Sequence, residues 1–412
     1  MPSARPVPAP VLRMDAEDPL RERRDLFQTP ADVIYLDGNS LGLLPVATPG
    51  RLAEVAVRQW GADLIQSWNR HDWIGAPRRI GDKIAGLVGA ETGEVIVADS
   101  TSVNLYKLLV AALRRQEGRK TILSEPGNFP TDLYVAEGAC RTLGDRRLRL
   151  EEAADIIGAI DEDTAVVLLT HVHYKTGRRH DMQAVTRAAH ARGALVLWDL
   201  SHSVGAVPLD LAGCDADLAV GCGYKYLNGG PGAPAFLYVA RRLQAQIMSP
   251  LSGWMGHAAG FDFVDDYVPA PGVERFLCGT PPVLGMAALE VGVDIMAAAD
   301  PLALAQKSAA LCDLFIREVE QGAPALRLVT PRSLADRGSH VSFAHLNAFE
   351  ICQALIAVGV VGDFRAPDVI RFGFTPLYTG FAEVWCAAVS LCEVMERDLW
   401  RDPVHAVRQR VT

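Results

Sequence analysis

No Cys-x-x-Cys pair occurs among the eight cysteines, which are scattered from Cys140 to Cys392. That spacing belongs to buried, reduced thiols and argues against a disulfide framework or a zinc knuckle. A basic excess is missing too: 40 Lys and Arg stand against 49 Asp and Glu, a formal charge of -9. Nucleic acid and acidic membrane surfaces are thereby disfavoured as partners. No apolar run is long and charge-free enough to span a bilayer. The stretch Met1-Pro2-Ser3-Ala4-Arg5-Pro6-Val7-Pro8-Ala9-Pro10 lacks the apolar core of a signal peptide, so a reducing cytoplasm is the expected location. Apart from that proline arm there is no low-complexity segment, and there is no internal repeat.

What remains is an ordinary globular composition. With 412 residues, 50% hydrophobic and 22% charged, the chain can build two packed domains and is too apolar for general disorder. After an irregular arm to about residue 12, a short charged helix is expected near 15–27. A longer one is expected across about 49–72, where Leu52, Val55, Ala56, Trp60 and Leu64 recur at helical spacing, and another over 79–88. Apolar runs at 95–98, 121–123, 165–169, 194–198 and 218–220 alternate with helical patterns such as 103–113 and 182–192. Continuous apolar strands in βαβα order predict an α/β fold, a large doubly wound, mostly parallel sheet with helices on both faces. In such sheets ligands collect at the carboxyl ends of the strands. Beyond about 285 longer Ala- and Leu-rich helices and a few strands indicate a smaller α+β C-terminal domain. The expected division is 1–45 as an N-terminal arm and a segment packing on the small domain, 46–284 as the large domain and 285–412 as the small one.

One stretch organises the rest: Gly221-Cys222-Gly223-Tyr224-Lys225-Tyr226-Leu227-Asn228-Gly229-Gly230-Pro231-Gly232. A lysine held in a pocket between bulky neighbours is desolvated toward the neutral, nucleophilic amine, which suits a Schiff base. Solvated turn lysines are commoner, so the case rests on distant segments. Asp199-Leu200-Ser201-His202 places a carboxylate directly after the most apolar strand, separated from Lys225 by one short helix and one strand. A buried aspartate needs a cation; a protonated ring nitrogen would serve, with a structural salt bridge or a helix cap as the plainer alternative. Asp99-Ser100-Thr101-Ser102 opens a helix, where hydroxyls and free N–H groups suit a phosphate, although Ser and Thr are also ordinary caps. An acid for a pyridinium nitrogen, a lysine for an aldehyde and a helix start for a phosphate together describe a pyridoxal phosphate site.

Further motifs carry a resemblance. Leu36-Asp37-Gly38-Asn39-Ser40-Leu41-Gly42, Asn128-Phe129-Pro130-Thr131-Asp132, Trp198-Asp199-Leu200-Ser201-His202, the lysine block, Gly253-Trp254-Met255-Gly256-His257 and Arg371-Phe372-Gly373-Phe374-Thr375-Pro376-Leu377-Tyr378 run in order along the chain. By them it resembles the fold type I pyridoxal phosphate enzymes, and within these the kynureninase family. Cysteine desulfurases differ: their lysine usually follows a histidine, and they need a mobile catalytic cysteine. Here Tyr224 precedes Lys225, and Cys312, Cys352, Cys386 and Cys392 fall in helical patterns.

The resemblance implies a cytoplasmic homodimer that hydrolyses L-kynurenine to anthranilate and L-alanine in tryptophan catabolism, with active sites near the subunit interface. It implies that Lys225 forms the Schiff base and that Asp199 pairs with the pyridine nitrogen, His202 lying close by. Phe129 would stack on the ring and Asp132 would hold its phenolic or nitrogen side. Thr101, Ser102, Tyr224, Trp254 and Thr280 would surround the phosphate, some from the neighbouring subunit. Arg371 would clamp the substrate α-carboxylate with its bidentate fork, and Asn39 and Ser40 would be further substrate contacts. Tyr224 would also shuttle protons. Animal relatives carry an asparagine in the Thr280 region and a histidine near the Trp73 stretch, which favour a 3-hydroxylated substrate. Thr280-Pro281-Pro282 and His71-Asp72-Trp73 depart from that pattern, so L-kynurenine is expected to be preferred over 3-hydroxykynurenine.

Other readings compete. In Thr170-His171-Val172-His173-Tyr174 two histidines at i and i+2 of a strand share a face and could bind a metal, but no third ligand is placed and no metal is expected. Trp60, Trp68 and Trp73 read as core or interface. The rival functions are a cysteine desulfurase-like lyase or an aminotransferase of the same fold and, from another class, a non-catalytic ligand-binding protein.

Overall fold

The computed structural model describes residues 5–408. Strand β1 (Ile34–Tyr35) is followed by β2 (Val95–Val97), β3 (Thr121–Ser124), β4 (Arg147–Leu150), β5 (Thr164–Thr170), β6 (Leu195–Asp199), β7 (Leu218–Gly221) and β8 (Phe236–Val239). The last seven form one sheet in the order β2-β8-β7-β6-β5-β3-β4. All neighbours from β7 to β4 are parallel, and β8 alone runs against both β7 and β2. Every residue of β5, β6 and β7 is buried, because helices cover both faces; this is why these strands read as unbroken Val, Leu and Ala runs. The register sets Thr170 beside Asp199 and Asp199 beside Val220. Two strands escape a search for apolar runs. Edge strand β4 reads Arg-Leu-Arg-Leu and is partly exposed, whereas β8 is fully buried but directly follows the Gly- and Pro-rich lysine block.

The smaller sheet holds β9 (Arg327–Leu328), β10 (His340–Ala344), β12 (Asp363–Arg365) and β13 (Val369–Gly373), antiparallel in the order β12-β13-β10-β9; between them, β11 (Val360–Val361) pairs in parallel with β1. Val11, Ile34 and Leu36 pack into this sheet's core, so the early chain is fastened to it. The helix Val283–Ala297 packs the other way, sending Met286, Leu289, Val293 and Met296 into the core of the large sheet.

Three helices differ from expectation. In place of an arm to residue 12 and a charged helix at 15–27, Ala9–Ala16 is helical and Arg21–Leu26 is a 3-10 helix; proline is compatible with a first turn, where its missing N–H has no partner to lose. Residues 1–4 of that arm lie outside the described residues. The stretch 49–72 breaks into Thr48–Glu54, a π turn at Val55–Trp60, and short pieces at Leu64–Gln66 and Ser67–Arg70. Its apolar stripe does not face the core of this chain: Val55 is buried, but Trp60 is 61% and Leu64 60% exposed. Between Asp199 and β7 the chain winds through turns rather than a helix. Gly205 sits there at φ +76, where a Cβ would meet Tyr226 Cβ at 3.2 Å. No helix among the described residues is long and apolar enough to cross a membrane.

Candidate active site

The carboxyl ends of β3, β5, β6 and β7 converge on one polar group inside an apolar surround. Asp199 ends β6 and is 3% exposed, its Oδ1 accepting from Ser201 N at 2.8 Å. Asp132, in the first turn of the helix Pro130–Leu143, is 1% exposed and feels the charge of Asp199. Burial first, then the Asp199 charge, hold the Asp132 carboxyl well above its usual range. Thr170 at the end of β5 donates to Asn128 Oδ1 and lies 3.4 Å from Asp132 Oδ2. Asn128 also accepts from Phe129 N at 2.7 Å and donates to Ser124 Oγ at 3.1 Å, which fixes the turn that presents Phe129.

Lys225, four residues past the end of β7, is buried. Its Nζ donates to His202 Nε2 at 3.1 Å and lies 5.8 Å from the centre of the Phe129 ring and 5.7 Å from that of Tyr224. Burial, then the positive charges of Lys225 and Arg371, push the His202 imidazole well below its usual pKa. His202 is therefore neutral, as an acceptor from an ammonium requires. Burial holds the Tyr224 phenol protonated, with Cys222 and Asp199 adding to the effect. The loop at Gly38-Asn39-Ser40-Leu41-Gly42 closes over the lysine block: Gly42 N donates to Tyr224 O at 2.9 Å, and a Cβ on Gly42 would lie 2.3 Å from Lys225 O. Only glycine allows that approach.

A second polar group comes from the small sheet. Arg371 on β13 is 1% exposed. Its Nε donates to Asp363 Oδ1 at 2.9 Å, its Nη2 to Ser40 Oγ at 2.8 Å and to Asp363 Oδ2, and its Nη1 to Tyr174 O at 2.5 Å. Arg365 also donates to Asp363 Oδ2 at 2.5 Å and to Ser40 Oγ at 3.1 Å. Burial raises the Asp363 carboxyl, but Arg371 and Arg365 outweigh it and hold it below its usual range. Asp37 is pushed up to about 7 by burial and by the Asp363 charge, against the opposing pull of Arg371. Asn39 is fully buried and neither amide atom has a hydrogen-bond partner. Tyr174 packs edge-on against Phe129 with ring centres 5.3 Å apart, so the arginine group borders the lysine group.

Lys225, Tyr224, Asp199, His202, Asp132 and Phe129 are thus drawn together, with Arg371, Asn39 and Ser40 alongside. Thr101 and Ser102 form the first turn of the helix Thr101–Arg115, where backbone N–H groups have no partner within the helix. Trp254 and Thr280 point elsewhere: Trp254 packs against Phe261 and Trp68 with ring centres 5.3 and 6.4 Å apart, and Thr280 is exposed. The two histidines of the metal reading are committed to separate neighbours. His171 Nδ1 lies 2.9 Å from Ser203 Oγ and burial drives its pKa to about 3, while His173 Nδ1 accepts from the backbone of Lys175 and Thr176. Sequence reasoning missed Thr170, Asp363 and Arg365 as members of the site. Thr170 was marked only by its place at a strand end, and nothing local marks Asp363.

Solved structures share this layout. A cysteine desulfurase from Thermococcus onnurineus NA1 aligns with a TM-score of 0.75 at 20% identity, over 96% of this chain and 100% of that one. A variant of C-DES with glycine covalently linked to its PLP cofactor aligns with a TM-score of 0.78 at 18% identity, over 90% and 99%. The protein therefore has the fold of the fold type I pyridoxal phosphate enzymes. Residues 304–391 match the kynureninase C-terminal domain. Over 410 residues the chain is 51% identical to a kynureninase of Burkholderia pseudomallei (strain 1106a), and over 409 residues 51% identical to one of Pseudomonas fluorescens, covering 97% of this chain and 98% of theirs in both cases. The chain belongs to the kynureninase family.

Proposed function

We propose that this protein hydrolyses L-kynurenine to anthranilate and L-alanine with pyridoxal 5'-phosphate as cofactor. The observation that carries the reading is the buried group of Lys225, His202, Asp199 and Asp132 beside Phe129, in a chain of this family. The residues fit the cofactor. Asp132 Oδ1 and His202 Nδ1 are buried without a hydrogen-bond partner, and two buried carboxylates that feel each other's charge are relieved by a cationic ring nitrogen. When bound, the cofactor supplies an electron sink for the substrate α-carbon. Asp199 would hold the ring nitrogen, Phe129 would cover a ring face, and the N–H groups and hydroxyls of Thr101 and Ser102 would take the phosphate together with Tyr224, with Trp254 and Thr280 reaching it from the neighbouring subunit. Lys225 would bond the aldehyde, and its amine, oriented by neutral His202, would take the proton from the substrate α-carbon. One water is consumed: its hydroxyl ends in the anthranilate carboxylate, and Cβ gains a proton to complete alanine. Tyr224, kept protonated, carries protons for those steps.

Arg371 receives the substrate α-carboxylate beside Asn39 and Ser40. Support comes from charge: two guanidiniums face Asp363 and Asp37, and Asp37 titrates at about 7, so at and below neutral pH the group has positive charge to spare for one carboxylate. Purified protein given L-kynurenine is expected to release anthranilate and alanine in equal amounts without a keto-acid acceptor, and to turn over 3-hydroxykynurenine less well. Sulfide from cysteine without anthranilate would overturn the reading in favour of a desulfurase.

A second copy of the chain completes the enzyme in this reading. Ile65 and Phe263 are each 76% exposed, and with Trp68, Trp254 and Phe261 they line one mostly apolar hollow of the kind that a second copy covers. The place of Trp254 there suits a phosphate contact given to the neighbouring subunit. Light scattering should return about twice the chain mass of 44.5 kDa, with an Ile65→Asp/Phe263→Asp variant shifted toward monomer; a monomeric wild-type enzyme refutes it. The division into 1–45, 46–284 and 285–412 and a cytoplasmic location, in keeping with eight free cysteines, belong to the same proposal.

A further inference from the structure

The helix whose first turn carries Thr101 and Ser102 also contains Lys107, a lysine with no exposed surface. Its Nζ donates to Asp99 Oδ2 at 2.6 Å and to Phe276 O at 2.6 Å. Asp99 stands two residues ahead of Thr101 with φ +46, a left-handed conformation that turns the chain sharply into the helix. Its backbone is fixed as well, with Ala235 N donating to Asp99 O at 2.9 Å. A carboxylate at this place is at odds with an anion site. The helix start attracts a phosphate through its free N–H groups, and an aspartate one residue before the cap Ser100 adds a negative charge at the same end.

We propose that Lys107 is a positioning residue for the phosphate end of the cofactor, acting through Asp99: it neutralises that carboxylate and ties the turn before Thr101 to Phe276. The proposal rests on the reading that Thr101 and Ser102 take the phosphate. Lys107 touches neither cofactor nor substrate. Its effect falls on the phosphate alone, since the ring and aldehyde are held by Asp199, Phe129 and Lys225 from other strand ends. Phe276 lies four residues before Thr280, so the same lysine also braces the segment that presents Thr280.

The experiment compares cofactor affinity with and without the phosphate. The holoenzyme is stripped of cofactor and titrated, by visible absorbance, with pyridoxal 5'-phosphate and with pyridoxal. In Lys107→Met the Asp99 carboxylate, one-third exposed, loses its cation beside the helix start, so affinity for pyridoxal 5'-phosphate should fall roughly 3- to 10-fold while that for pyridoxal changes less than about twofold. Adding Asp99→Asn to Lys107→Met should restore most of the loss. Should Lys107→Met fail to fold, Asp99→Asn alone decides, because removing the carboxylate while keeping the cation should leave phosphate affinity equal or tighter. Equal weakening toward both ligands in Lys107→Met, no weakening at all, or weakened phosphate binding in Asp99→Asn would overturn the proposal. A wild-type protein that binds both ligands equally well would instead sink the phosphate reading beneath it.

Discussion

Lys225→Ala is expected to lower kcat by about 10³-fold or more and to abolish the visible absorbance of cofactor bonded to the protein. Both losses follow from one side chain having two tasks. In the proposed reading Nζ, 5.8 Å from the centre of the Phe129 ring, bonds an aldehyde there and, once released, is the base for the substrate carbon. His202 cannot replace it: its imidazole is buried, neutral and aimed at the position Nζ vacates. Borohydride reduction of the wild-type holoenzyme followed by peptide mapping should place the cofactor on Lys225 and on no other lysine. The buried lysines Lys107 and Lys307, each ion-paired to an aspartate at 2.6 Å, are the controls. A variant that keeps the visible band or the label would remove Lys225 from the role.

The parts of this site that could be read from the sequence are those fixed by strand ends. Asp199 and Lys225 follow runs so apolar that only a buried parallel strand accommodates them, and the register of β6 and β7 does the rest. Arg371 was legible as a residue but not in its surroundings, because Asp363 reaches it through the pairing of two short antiparallel strands, Asp363 opposite Arg371. No local pattern encodes that. The stripe Leu52, Val55, Ala56, Trp60, Leu64 misled for a different reason. Periodicity reports that a face is apolar and is silent about what covers it, and here Trp60 and Leu64, at one end of the stripe, stay exposed. Tight approaches, such as Gly42 against Lys225 O, were visible only as glycines in a loop, since the partner of a close contact is set by the fold.

Asp199→Asn tests the other half of the chemistry. The amide is nearly the same shape and can still accept from Ser201 N, so the turn after β6 should persist; what disappears is the charge. With no carboxylate facing it, a ring nitrogen loses the preference for its protonated form, and the sink for electrons from the α-carbon weakens. A fall in kcat of roughly 10²- to 10³-fold, about 3–4 kcal/mol, is expected. Lys225 should still be labelled by reduction, which separates this defect from that of Lys225→Ala. Asp132 responds in a definite direction: after burial, the Asp199 charge is the next largest influence holding its carboxyl up, so Asp132 should ionise at lower pH in the variant. That would leave a carboxylate close by but displaced, and raising the pH should recover part of the lost rate where the wild-type profile shows no such rise. If Asp199→Asn keeps kcat within about threefold of wild type while Asp132→Asn abolishes it, the two aspartates exchange roles and Asp132 becomes the partner of the ring nitrogen.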